Sequence, residues 1–152
     1  PQAPEQGMLN GASFYDYYET KDGRYFSVGS LEPQFMAGLS AALELPILMA
    51  KGTSFDPEDR QAVKQALQEK FKSQNFAEWQ QLFHNLDICV EPVLSLDEAL
   101  VSPIAEQRGW VVDVPLSENS EQTEAQLACP IKFSRSQIKY AFIGQGLGEG
   151  KW

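Results

Sequence analysis

The sequence predicts an α+β fold: a small domain with a short β-hairpin, further antiparallel strands and about three main helices. Three observations point there. Two aromatic and β-branched runs flank Lys21-Asp22-Gly23 near the start of the chain. Three apolar stripes at helical spacing follow, and strand-like runs return after Ile88. Strands and helices are thus partly segregated, where a doubly wound sheet would alternate them. The size agrees, since 152 residues suit one domain. A hydrophobic content of 43%, with 9 Phe, 5 Tyr and 3 Trp, is enough to fill a core.

The elements follow in order. Tyr15 to Thr20 and Arg24 to Gly29 read as the hairpin, because Gly23 accepts the positive φ of a tight turn and Phe26 and Val28 alternate with Tyr25 and Ser27. Pro33 suits a first helical position, where its missing N–H costs nothing. Phe35, Met36, Leu39, Ala42 and Leu43 then mark a helix that Pro46 stops. Asp56 caps a longer helix with acidic residues in its first turn and a stripe of Ala62, Val63, Ala66, Leu67 and Phe71. Asn75 caps a third, whose face is Phe76, Trp79, Leu82, Phe83 and Leu86. Ile88 to Leu94 is strand-like but contains Pro92, which predicts an edge or a bulge. Ser95 caps a short helix to Leu100, and Pro103 opens another ending at Gly109. Trp110 to Val114 reads as a strand, Leu116 to Gln126 as a polar, acidic loop, and Ala128 to Phe133 as a last strand. By organisation, residues 1–8 form a linker, 9–136 the small domain and 137–152 a glycine-containing tail. Pro1 in place of an initiator Met marks the chain as a piece of something longer, or one trimmed of a tag.

The balance of 12 Lys+Arg against 21 Asp+Glu, a net charge of −9, argues against nucleic acid or an anionic membrane as partner, since both demand basic patches. No apolar run approaches the ~20 residues of a spanning helix, and no basic segment precedes an apolar stretch as in a signal peptide. A cytoplasmic location is expected. Cys89 and Cys129 are expected to be buried, inert thiols, and with a single histidine they cannot complete a closed zinc site.

Gly144, Gly146 and Gly148 superficially suggest a phosphate loop, but no helix and acidic residue can follow before the chain ends at Trp152. His84 lies beside the apolar stripe of the third helix with no local nucleophile or carboxylate to serve. Glu118, Glu121 and Glu124 lack metal-ligand spacing and read as solvated surface. Glu32 falls between a strand and a helix start, where a helix N-terminus stabilises a carboxylate and functional groups often sit. From spacing alone, a solvated residue that merely caps the helix is the plainer reading.

The blocks Leu9-Asn10-Gly11-Ala12 to Phe14-Tyr15-Asp16, Tyr18 to Tyr25, and Val28-Gly29-Ser30-Leu31-Glu32-Pro33-Gln34-Phe35 resemble the racemase group of the family III CoA-transferases, the CaiB/BaiF type. So do Glu78-Trp79, Asp87 to Ala99, Pro103 with Arg108-Gly109, Pro130 to Arg135 and Leu147-Gly148-Glu149, in that order. The departures are Ser30, where alanine is usual, and Glu91, where a small residue often sits; neither is expected to touch the role of Glu32. The resemblance implies the small domain of an enzyme acting on acyl-CoA thioesters without metal or redox cofactor. The His and Asp that move the α-proton would lie on a large Rossmann-like domain, and no residue here matches either. By position Glu32 is the glutamate that lines the active site near that histidine. The resemblance also implies an interlocked homodimer, with Tyr17, Phe26 and Phe35 as candidates for a partner-facing surface or, equally on sequence, for the core. The chain alone is then expected to be inactive. A different reading is a free-standing binding or interaction module that has no catalytic half.

Overall fold

The computed structural model describes residues 12–144, which divide into two compact units, Pro1–Val93 and Leu94–Trp152. The linker at 1–8, the residues Gly146 and Gly148, and the blocks at Leu9 to Gly11 and at Leu147 to Glu149 lie outside the described residues.

In the first unit, β1 (Tyr15–Glu19) and β2 (Tyr25–Gly29) form the expected hairpin, in register from Tyr15 opposite Gly29 to Glu19 opposite Tyr25. Gly23 at the turn has φ +78°, a conformation that costs a residue with a Cβ. The helices are α1 (Pro33–Leu43), α2 (Ile47–Lys51), α3 (Pro57–Phe71) and α4 (Phe76–Phe83). Pro46 does end α1, but it then stands as the N-cap of the short α2, which buries only Leu48. One buried residue leaves too little periodicity for the sequence to betray it. β3 (Val90–Pro92) pairs antiparallel with β2, placing Pro92 opposite Phe26. The sheet order is β1-β2-β3, so Pro92 sits on an edge strand, where a missing N–H is tolerated.

The core is aromatic. Alternation in β1 and β2 sends Tyr18, Phe26 and Val28 to one face, and Phe71, Phe76, Trp79 and Phe83 meet them from α3 and α4. Phe71 stacks on Tyr18 at 5.2 Å and lies 6.1 Å from Phe26, 5.4 Å from Trp79 and 6.0 Å from Phe83. Its own carbonyl accepts the Trp79 indole N–H at 2.8 Å. Burial and the neighbouring Asp16 carboxylate push the Tyr18 phenol well above its ordinary range, so it stays neutral and donates to the Ser13 carbonyl. One expectation for this region is settled and another corrected. Phe26 is fully buried in this cluster rather than on a partner-facing surface. Leu82 and Leu86, expected on the buried face, are exposed: Leu82 falls off the stripe of Phe76, Trp79 and Phe83 that α4 buries, and Leu86 lies beyond the helix end at Phe83.

The hairpin turn is tied to α4 by polar contacts. The Asp22 carboxylate accepts from the Thr20 hydroxyl at 2.6 Å and from the Phe76 N–H at 3.0 Å, one of the orphan donors of a helix start. The Arg24 guanidinium lies 3.6 Å above the Phe76 ring.

The second unit contains α5 (Leu96–Leu100), α6 (Pro103–Arg108), β4 (Val111–Pro115) and β5 (Thr123–Leu127). Ser95 caps α5, Pro103 opens α6 and Gly109 closes it, as expected, and Ser102 adds a cap to α6 that the sequence reading did not name. The strands differ from expectation. β5 lies inside the segment read as an acidic loop, pairing Val111 with Leu127 and Pro115 with Thr123, while Ala128 to Phe133 carries no strand. Thr123 to Leu127 is exposed at four of its five positions. It is held by backbone pairing with β4 and so shows no apolar alternation.

Truncating the hub of the core, Phe71→Ala, should destabilise the protein by about 3–5 kcal/mol; the exposed Tyr17→Ala should change stability by less than about 0.5 kcal/mol. Urea unfolding followed by tryptophan fluorescence reads both. The Asp22 carboxyl is held below its ordinary 3.8 by the Thr20 hydroxyl first, then by the Phe76 N–H and Arg24. A carboxyl depressed on folding adds stability above its unfolded pKa and loses it as pH falls through the folded value. Asp22→Ala should therefore lower the melting temperature at roughly pH 6, and the gap to the wild type should close as pH drops below about 4.

Candidate functional site

Glu32 sits at the N-cap of α1, with extended backbone angles of φ −72° and ψ 144°. Its carbonyl accepts the Met36 N–H at 3.0 Å, but its carboxylate makes no capping hydrogen bond. Glu32 is thus a solvated N-cap residue, as the plainer reading has it, but it caps through its backbone and leaves its carboxylate uncommitted. The side chain is exposed at the N-terminal end of an 11-residue helix.

Only Ser30 and Leu31 separate β2 from Glu32, and this short link is latched to a second loop, 87–89. The Gly29 N–H donates to the Cys89 carbonyl at 2.8 Å, and the fully buried Ser30 hydroxyl donates to the Ile88 carbonyl. Ile88 is gripped from its other end as well. A Cβ added at Gly38 of α1 would stand 2.7 Å from the Ile88 Cγ2, so glycine at that position is what admits the isoleucine. Ile88 is itself buried. Losing the Ser30 hydroxyl would leave a buried carbonyl unpaired, at a cost of about 1–3 kcal/mol.

The tips of the two loops come together. Cys89, expected to be buried, is exposed and has φ +50°. Partial desolvation first, then the carboxylates of Glu32, Asp87 and Glu91, push its thiol pKa up. A thiol in that field is a poor nucleophile at neutral pH, because the thiolate is the reactive form. Nothing in the local spacing signals this neighbour: Cys89 reads as one residue of a continuous strand, whereas its left-handed backbone turns the chain just before β3. Ser30 and Glu91, the two departures from the family pattern, both belong to this cluster. Among the described residues no group of three or more His, Cys, Asp or Glu could hold a metal ion.

The other candidates lie elsewhere. His84 is an exposed residue at the C-cap of α4. Glu118, Glu121 and Glu124 are exposed in the second unit. Cys129 is half-buried there and free, like Cys89. Tyr17 is 65% exposed and borders a groove of about 1010 Å³ with Tyr25, Phe55, Arg60 and Lys72; Phe35 is half-buried. No helix of the described residues is long and apolar enough to cross a membrane.

Comparison with known proteins decides the family. Residues 1–144 match the model of CoA-transferase family III. The chain belongs to that family. Among curated family relatives, it is 40% identical over 101 residues to the alpha-methylacyl-CoA racemase of Mus musculus, covering 62% of this chain and 25% of the relative. It is 36% identical over 115 residues to the Homo sapiens protein of the same name, covering 71% and 28%. The chain thus spans little more than a quarter of the length of these relatives. Its fold is similar to that of a CAIB/BAIF family protein from Brucella suis, with a TM-score of 0.66 at 18% identity over 91% of this chain and 35% of that one. It is also similar to Rv3272 from Mycobacterium tuberculosis, with a TM-score of 0.66 at 16% identity over 88% and 37%.

The latch makes a stability prediction within this family III domain. Gly38→Ala should cost about 1–3 kcal/mol, since the new methyl must displace Ile88. Thermal unfolding measures it, with Ala37→Gly on the exposed side of the same helix as the control for helix propensity.

Proposed function

We propose that this chain is the small domain of an enzyme that removes and returns the α-proton of an acyl-CoA thioester, with Glu32 as the residue it contributes to the active site. The observation that carries the reading is the exposed, uncapped Glu32 carboxylate on a rigid two-loop support. Family membership and the similarity to two alpha-methylacyl-CoA racemases supply the substrate class.

The chemistry explains why a carboxylate without an acid/base partner of its own is useful. A thioester acidifies its α-carbon only partly, so inversion needs two positioned groups, one on each face, to take and return the proton. In this reading an imidazole and a carboxyl on the large domain do so, and Glu32 accepts the far N–H of that imidazole. The contact fixes the imidazole's orientation and raises its basicity. Neither a metal nor a redox cofactor takes part. The chain alone, holding neither acid/base group, is inactive.

The large domain is also the partner, in a homodimer. Apolar side chains in the second unit support this: Leu96, Val101, Leu127, Ile131 and Phe133 are 59–83% exposed, more than a stable free surface usually carries in one small unit. The two free thiols accord with a reducing cytoplasm.

Deuterium incorporation at the α-carbon of a 2-methylacyl-CoA tests the reading. The 152-residue chain should give only the background rate, whereas the enzyme with its large domain should exchange. Glu32→Gln in that enzyme should slow exchange by about 100-fold. Exchange by the chain alone would overturn the division of labour, and an unchanged Glu32→Gln rate would remove Glu32 from the reaction. Tight association of the chain with no exchange in any combination would instead favour an interaction module.

A further inference from the structure

We propose that Ser30 is a positioning residue for Glu32: by holding the Ile88 carbonyl, its hydroxyl fixes the Glu32 carboxylate beside the tip of the 87–89 loop. The catalytic consequence rests on the function proposed above, while the positioning itself does not.

The argument begins with the length of the connection. β2 ends at Gly29 and α1 begins at Pro33, so whatever holds Ser30 sets where the helix starts and where Glu32 projects. Ser30 is fully buried, with its hydroxyl on the Ile88 carbonyl 58 positions away in sequence. The flanking bonds are to backbone: the Gly29 N–H to the Cys89 carbonyl at 2.8 Å and the Leu31 N–H to the Gly29 carbonyl at 2.9 Å. Ile88 in turn cannot move toward α1, because its Cγ2 already occupies the space a Cβ on Gly38 would need. The Ser30 hydroxyl is thus the side-chain link in a closed circuit that runs β2, Ser30, Ile88, Gly38, α1 and back to Glu32. Opening that link frees the 30–32 connection from the 87–89 loop without removing any carboxylate. Side-chain hydroxyls that hold a neighbouring loop in this way act on the geometry of a site rather than on its chemistry.

Cys89 provides a reporter within the protein itself. The charged groups that act on its thiol are Glu32, Asp87 and Glu91. If the Glu32 carboxylate moves away, one of three negative neighbours is lost and the thiol ionises at lower pH. In a Cys129→Ser background, the rate of iodoacetamide alkylation as a function of pH, quantified by mass spectrometry on the peptide that contains Cys89, reads the Cys89 titration alone.

The purified protein carrying its large domain is examined as Glu32→Gln, Ser30→Ala and Ser30→Thr, with α-proton exchange measured on the same preparations. Both Glu32→Gln and Ser30→Ala should shift the alkylation profile to lower pH, and Ser30→Thr, which keeps the hydroxyl, should retain the wild-type profile. Ser30→Ala should also reduce kcat for exchange with KM little changed. A profile that moves with Glu32→Gln but not with Ser30→Ala overturns the proposal, as does one that Glu32→Gln leaves in place. If both variants move the profile but Glu32→Gln leaves exchange untouched, Ser30 still positions Glu32 and it is the catalytic reading that fails. Should Ser30→Ala lose the near-ultraviolet signal of the buried Trp79, Ser30→Thr decides the matter: a profile shifted as far as that of Glu32→Gln overturns the proposal, and an unshifted one supports it.

Discussion

The packing of Phe71 against Tyr18, Phe26, Trp79 and Phe83 is the constraint on which the first unit depends. A three-stranded sheet of such short strands has little stability of its own, and α4 has only 8 residues, fewer than an isolated helix needs in water. Each becomes stable by covering the other. Offset and edge-on aromatic pairs add about 0.5–1.5 kcal/mol apiece beyond the area they bury, and four rings pack around the Phe71 centre. Because Phe26 belongs to β2, the same cluster holds the strand whose far end leads into Glu32.

From that anchored strand the candidate site is built outward by backbone and by one hydroxyl. Gly29 and Ser30 bind the 87–89 loop, Ile88 fills the space above Gly38, and Glu32 and Cys89 are left exposed at the two tips. Rigid support beneath an exposed charge is what an orienting group needs, since a carboxylate free to swing loses much of its effect on a partner. The carboxylates of Asp87 and Glu91 share the field of Glu32 at the Cys89 thiol and, with partial desolvation, push its pKa up.

The second unit is organised by different forces. Its helices are set by serine caps and its hairpin by backbone pairing, and of its described apolar residues only Ala105 and Val114 are buried. Two small side chains make almost no core. The local signals are strong enough to shape each element without a large shared core.

Much of this was legible in the amino-acid sequence because local physics decides it. The Asp22-Gly23 turn, the Asp56 and Ser95 caps, Pro33 and Pro103 at helix starts and Pro92 on an edge strand depend only on near neighbours, and so did the family blocks around Glu32. What escaped depended on partners remote in sequence. Phe26 could be placed in a strand but not in the core, because its partners on α3 and α4 lie more than 40 positions away. β5 could not be found because pairing with β4, rather than any apolar pattern, makes it a strand. The sequence alone put Glu32 between a strand and a helix; only the tertiary structure brought Ser30, Ile88 and Cys89 beneath it, since a hydrogen bond across 58 residues leaves no trace in local spacing.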